Sequence, residues 1–230
     1  MGDVPAFRFD ASVAAVFPDM LRRSIPGYAT VIQITGQLAG RFTAPDSLVY
    51  DLGASLGAST FSILPQLPPG ARVIALDNSE AMIRRLQATL DTHPQRTQAE
   101  ARCEDILNSE FDPCHFSVLN YTLQFIPLAE RDALLQRIAD ATVAGGALVL
   151  SEKIALDDPA QSALHIDLHH DFKRANGYSD LEVSQKRSAI EDVLIPEHFS
   201  QHQARLLRAG FSSVEVWFRC FNFCSMVAIK

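Results

Sequence analysis

A chain of 230 residues is long enough for one well-buried core, and a single sheet flanked by helices uses nearly all of it. Hydrophobic residues make up 47% and charged residues 20%, a globular composition that excludes a disordered chain. The net charge of −7 argues against grip on a phosphate backbone, where affinity comes from neutralising phosphates, and favours a small-molecule substrate over tRNA or DNA. No run approaches the roughly 18 apolar residues of a membrane span. Met1 to Asp10 lacks the basic-then-apolar order of a signal peptide. The four cysteines have no metal-site spacing and read as reduced thiols of a cytoplasmic protein. On one continuous strand Cys220 and Cys224 would lie roughly 13 Å apart, and they approach only if Phe221-Asn222-Phe223 is a turn.

In chain order, residues 1 to about 42 form a helical cap that ends in a helix from Ala29 to Arg41. Short apolar runs then alternate with helical patterns, which is the signature of βαβ units and a mostly parallel sheet. Strands are expected at Ser47 to Leu52, Arg72 to Asp77, Gln98 to Cys103, His115 to Asn120 and Ala147 to Lys153. Helices fit between them at Ala58 to Leu64, Ser79 to Leu90 and Ala129 to Thr142, with Ser79 as an N-cap and Gly145-Gly146 ending the last. Val214 to Cys220 and Cys224 to Lys230 complete seven strands as an antiparallel closing pair. Between the fifth strand and the last helix, residues 154–196 form a polar, helical insertion punctuated by Pro159, Gly177 and Pro196. Connections of that length serve as lids or partner surfaces. The chain therefore reads as one α/β domain, with the cap and the insertion added to a core of residues 43–153 and 197–230.

The loop after the first strand, Asp51-Leu52-Gly53-Ala54-Ser55-Leu56-Gly57, is small enough for close approach of backbone to a ligand, at the crevice where such sheets bind cofactors. Its glycines are four apart and preceded by an acid, unlike the dinucleotide fingerprint. The second strand ends in Asp77-Asn78, where an acid can accept both hydroxyls of a ribose. Glu104-Asp105-Ile106 follows the third, where an aspartate can bond an adenine amino group while the isoleucine packs on the ring. The fourth strand ends in Asn120. Any one of these is explicable without a ligand, Asp77 as a solvated turn acid for example. Four successive strand ends carrying ligand-type residues point to an adenosylated ligand.

This order resembles the class I S-adenosylmethionine-dependent methyltransferase fold, a Rossmann-like sheet, across residues 47–230. Beyond the fold, five segments resemble the carboxy-S-adenosyl-L-methionine synthase family: Val16-Phe17-Pro18-Asp19-Met20, Ser24-Ile25-Pro26-Gly27-Tyr28, Asn120-Tyr121-Thr122-Leu123-Gln124-Phe125, His169 to Tyr178, and Ser184-Gln185-Lys186-Arg187-Ser188. Two departures are Ala54, where cysteine is expected in close relatives, and the chain's stop at Lys230, directly after the last strand.

The resemblance implies a homodimer that carboxylates S-adenosyl-L-methionine with prephenate as carboxyl source, releases phenylpyruvate and needs no metal. The product, carboxy-S-adenosyl-L-methionine, would supply a separate enzyme that modifies the wobble uridine of tRNA. By position, the resemblance assigns Tyr28 to the donor, Gly53, Ala54 and Ser55 to its amino-acid end, Asp77 and Asn78 to its ribose, and Asp105 and Ile106 to its adenine. Asn120 falls near the sulfonium, and Arg187 pairs with the transferred carboxylate, to which a planar fork is suited. Read without the resemblance, Arg187 has a plainer role as a surface partner of Glu191, and Tyr28 one as a core or hinge aromatic. His165 and His169 share a helical face, but no third metal ligand appears at a recognisable spacing. Packing, interface or prephenate-facing roles stay open for His169, His170 and Lys173. Two other readings use the same pocket, a conventional small-molecule methyltransferase and a non-catalytic binding module. Arg187 separates the first from carboxylation, because a methyl donor has no carboxylate for it to meet.

Overall fold

The computed structural model describes residues 11–183 and 193–230. The cap consists of α1 (Ala11–Ser24) and α2 (Tyr28–Phe42). The core then runs β1 (Leu48–Leu52), α3 (Ala58–Ile63), β2 (Arg72–Asp77), α4 (Glu80–Asp91), β3 (Ala99–Cys103), β4 (Cys114–Asn120), α5 (Leu128–Ala141) and β5 (Thr142–Ala155). After β5 come α6 (Pro159–Ala175), the two-residue β6 (Glu197–His198), α7 (Phe199–Arg208), β7 (Ser213–Cys220) and β8 (Phe223–Ile229). A further helical turn opens at Asp180.

The strands order as β3-β2-β1-β4-β5-β8-β7. From β3 to β5 every neighbour is parallel, and β8 alone runs against both β5 and β7. Seven strands are those expected from the sequence, and β6 is an addition, paired to the end of β5. β1 is buried at all five positions, as a central parallel strand covered on both faces requires. On one face Tyr50, Leu52, Ile74 and Leu119 pack with α5 and α7 through Leu134, Leu135, Ile138 and Leu206. On the other, Val49, Val73, Phe116 and Val118 pack against Ala39 of α2, Ile63 of α3 and Leu86 of α4.

The local signals for α4 act as expected, with the Ser79 hydroxyl accepting the Met82 N–H at 3.3 Å. One signal is corrected. Gly145-Gly146 does not end α5, which stops at Ala141 as Thr142, already the first residue of β5, turns its hydroxyl back to the Ile138 carbonyl at 2.7 Å. Both glycines lie inside β5, where the Gly145 N–H meets the Lys230 carbonyl. At the other end of the sheet the β7–β8 turn pairs Cys220 with Phe223 and Cys224 with Arg219, and all four cysteines are free.

A buried charge network sits behind β5. Arg131 and Arg205 both hold Glu197, at 2.5 and 2.6 Å, and Arg205 also meets Asp132. Burial opposes ionisation of Glu197, but Arg205 and Arg131 outweigh it and hold the carboxyl at about 2. The Arg131 guanidinium additionally donates to the Gln124 and Ile195 carbonyls, joining the loop after β4 to the end of the insertion.

Candidate functional site

Because β1 to β5 are parallel, their carboxyl ends share one edge, and the connections leaving that edge enclose a cavity of about 620 Å³. Nine of the ten residues expected from the sequence line it: Tyr28, Gly53, Ala54, Ser55, Asp77, Asn78, Asp105, Ile106 and Asn120. The tenth, Arg187, lies outside the described residues.

The floor is the β1–α3 loop. Asp51 is buried and accepts the Thr60 N–H at 2.9 Å and the Thr60 hydroxyl at 2.6 Å, fixing the strand to the helix that follows. Burial pushes its carboxyl up to about 6, against those two bonds from Thr60. Gly53 (φ +78°) and Gly57 (φ +82°) occupy the left-handed region. A Cβ on Gly53 would lie 2.3 Å from Thr122 Oγ1, and one on Gly57 2.4 Å from a Leu86 methyl. Ser55 is also left-handed, at φ 52°, and is held there by its N–H to Asp77 Oδ2 at 2.9 Å.

Asp77 thus supports the loop from the neighbouring strand end. Its other oxygen accepts the Ser79 N–H at 2.8 Å, and burial raises its carboxyl above the usual range against these two bonds. Next along the edge, Asp105 turns the chain by accepting the Leu107 N–H at 2.9 Å, which sets the buried Ile106 into the wall. Asn120 is fixed on both sides of its amide. Its oxygen accepts the Ser151 hydroxyl at 2.6 Å, and its NH₂ donates to the Ser59 hydroxyl at 3.0 Å. Ser225 extends this line across β8 by donating to the Ser151 hydroxyl at 2.7 Å.

Cap and insertion close the top. Phe17, Met20 and Leu21 of α1 face the cavity, and Tyr28 at the start of α2 packs on Tyr121, ring centroids 6.3 Å apart. From the opposite side α6 brings Ile166, His169, His170 and Lys173. The two added segments are latched to one another. Arg23 donates to the carbonyls of Asn176 and Gly177, each at 2.7 Å, and lies 4.2 Å over the Tyr178 ring. His169 Nε2 lies 2.8 Å from the Ser24 carbonyl, so this nitrogen carries the proton. Burial, then Lys173, pushes His169 down to about 3, and the ring is neutral. Its edge meets Phe223 at 4.9 Å. Among the described residues no group of three His, Cys, Asp or Glu is placed to hold a metal ion.

Several site residues escape a reading of the sequence. Glu152, buried at the end of β5, accepts the N–H groups of Leu123 and Gln124 at 3.0 and 2.9 Å, and so holds the loop after Asn120 against the cavity. Its only sequence signal is an acid closing the apolar run Ala147 to Leu150. Gln124 answers by accepting the Lys153 N–H at 3.0 Å. Lys153 and Phe223 also line the cavity and sit opposite one another on β5 and β8.

Comparison with known proteins agrees with this fold. A methyltransferase domain model matches residues 49–146. The chain is similar to carboxy-S-adenosyl-L-methionine synthase of Marinobacter nauticus, 55% identical over 97% of this chain and 90% of that protein. It is also similar to the enzyme of that name from Shewanella oneidensis, 53% identical over 97% of this chain and 93% of that protein. Among solved structures, an O-methyltransferase family protein from Burkholderia thailandensis shares the fold with a TM-score of 0.67 and 18% identity, covering 96% of this chain and 60% of that one. At more than half identity along nearly its whole length, the chain is an enzyme of the carboxy-S-adenosyl-L-methionine synthase family.

Proposed function

We propose that this enzyme converts S-adenosyl-L-methionine and prephenate to carboxy-S-adenosyl-L-methionine, phenylpyruvate and water. One observation carries the reading: nine ligand-type residues from four strand ends and the cap converge on a single cavity of about 620 Å³, within the size range of small-molecule sites. Gly53, Ala54 and Ser55 take the amino-acid end of the donor, Asp77 and Asn78 its ribose, Asp105 and Ile106 its adenine. Tyr28 covers it, Asn120 stands by the sulfonium, and Arg187 pairs with the new carboxylate.

The chemistry suits such a chamber. The sulfonium acidifies its methyl group, which loses a proton and becomes a transient ylide. Prephenate breaks its ring-to-carboxyl bond and expels its ring hydroxyl, gaining an aromatic ring. The released carbon dioxide forms the new carbon–carbon bond with the ylide carbon, and the methyl proton leaves with the hydroxide as water. The protein's part is to hold both molecules, exclude solvent and neutralise the product carboxylate. The closed top made by Arg23, Tyr178, His169 and Ser24 fits the need to keep bulk water from the ylide.

The product then leaves for a separate enzyme that carboxymethylates wobble uridine in tRNA, in the cytoplasm, and the net charge of −7 is in keeping with no direct hold on the nucleic acid. A homodimer is part of the same reading. Leu164 and Leu168, one turn apart on α6, are both exposed and supply an apolar stripe on the insertion. Turnover with prephenate tests the activity: phenylpyruvate should appear only when S-adenosyl-L-methionine is present. Its absence, with the donor bound, would leave a binding module instead.

A further inference from the structure

The wall of the cavity is electrically polarised along the sheet edge. Its carboxylates, Asp77, Glu104 and Asp105, leave the ends of β2 and β3. Its lysines stand at the other end, Lys153 on β5 and Lys173 in the last turn of α6. The strand order places β1 and β4 between β2 and β5. Three strand spacings separate β2 from β5, about 14 Å. Asn120, at the end of β4, lies between the two charge clusters. Lys153 is two residues beyond Ser151, which is hydrogen-bonded to Asn120, so the lysine lies on the same face of β5, one step further out. Lys173 is 9% exposed. Both lysines act on His169, which they help to keep unprotonated.

We infer that Lys153 and Lys173 form the subsite for an anionic, carboxylate-bearing co-substrate, beyond the sulfonium from the adenosine. This inference rests on the proposed donor orientation, with the nucleoside toward β2 and β3. A ligand laid that way points its reactive carbon at β4 and β5, and the molecule that meets it there faces two ammonium groups. A dianion such as prephenate can reach both, whereas a monoanion reaches one. A neutral methyl acceptor gains nothing from such a wall. The lysines also place the carboxyl to be released, through their charge.

Calorimetric titration of the protein loaded with S-adenosyl-L-homocysteine, which has no methyl group to carboxylate, tests this, with prephenate and phenylpyruvate as probes and with Lys153→Met and Lys173→Met as variants. Methionine keeps the length and burial of the stem while removing the charge. Each variant should bind S-adenosyl-L-methionine within about twofold of wild type and bind prephenate at least tenfold more weakly. The dependence of prephenate affinity on salt should be shallower in both. In turnover the loss should fall on KM for prephenate more than on kcat, and Lys173→Arg should restore part of the affinity. Unchanged prephenate affinity in both variants overturns the inference. Equal losses for donor and prephenate also overturn it, since they mark the lysines as structural supports. Wild-type protein that binds the anions through these lysines yet forms no carboxylated product would leave the subsite standing and sink the proposed reaction. Wild-type protein that turns over prephenate while both variants keep its KM would do the reverse.

Discussion

Replacing Glu152 with glutamine tests how the fold holds the site. Both carboxyl oxygens of Glu152 accept a backbone N–H, from Leu123 at 3.0 Å and from Gln124 at 2.9 Å, at a position 1% exposed. Glutamine has the same shape, but its NH₂ only donates, whereas a carboxyl keeps a lone pair on each oxygen even when protonated, so in the variant one N–H faces an NH₂ group. A buried donor left unsatisfied costs about 1–3 kcal/mol. For a domain of this size that lowers Tm by about 2–4 °C per kcal/mol. The loss should depend on pH. Burial pushes Glu152 up to about 8, against the Gln124 N–H, the charge of Arg131 and the Leu123 N–H, from an unfolded value near 4.5. A native value raised in this way contributes stability that is complete below the unfolded value and is lost as pH climbs through about 8. Glutamine does not titrate. Urea unfolding should therefore show the widest gap between wild type and E152Q near pH 5, narrowing toward pH 9. A gap that stays constant over that range, or no destabilisation at all, would refute the role given to this carboxyl.

Three further outcomes are expected. Gly53→Ala should weaken S-adenosyl-L-methionine binding, because the left-handed dihedral costs about 1–2 kcal/mol and the new Cβ meets the Thr122 side chain at 2.3 Å; Thr122→Ala in the same chain should relieve the contacts with Oγ1 and Cγ2 but leave the Cβ contact at 2.9 Å and the dihedral strain, so it recovers only part of the loss, and calorimetry on both variants checks it. Arg23→Ala removes two carbonyl bonds and the contact with Tyr178, so hydrogen exchange at residues 176–178 should quicken while the amides of β1 and β4 keep their protection; unchanged exchange at 176–178 would dissolve the latch. Arg187→Ala should leave S-adenosyl-L-methionine affinity nearly intact while affinity for the carboxylated form falls by about 2 kcal/mol or more, and equal losses in a binding assay would remove its assigned role.

The strand-end residues were legible in the sequence because each is read from its own neighbourhood: a parallel strand, then a turn, then a ligand-type side chain at the shared edge. Asp77, Asp105 and Asn120 need only the order of strands to be brought together. The latch is different. Arg23 and Asn176 are 153 positions apart, and no periodicity in either helix announces their contact. Glu152 was hidden for a similar reason, since its partners are backbone N–H groups of a short helical turn, which carry no side-chain signature. Lys153 reads as the polar end of a strand until β5 is set beside β8 and the cavity. Gly145-Gly146 misled because glycine pairs commonly terminate helices, whereas here Thr142 had already ended α5 with its own hydroxyl. The closing pair was legible as two strands, and the Phe221-Asn222 turn then sets Cys220 and Cys224 apart on neighbouring strands, offset by one residue.

The most direct test of carboxylation follows the carbon. The enzyme would be incubated with S-adenosyl-L-methionine and prephenate carrying an isotopic label in its ring carboxyl, and the sulfonium species resolved by mass spectrometry. The account predicts a product heavier than the donor by one labelled carbon dioxide, formed in equal amount with unlabelled phenylpyruvate. Unchanged S-adenosyl-L-methionine, or a carboxylated product without the label, would contradict it.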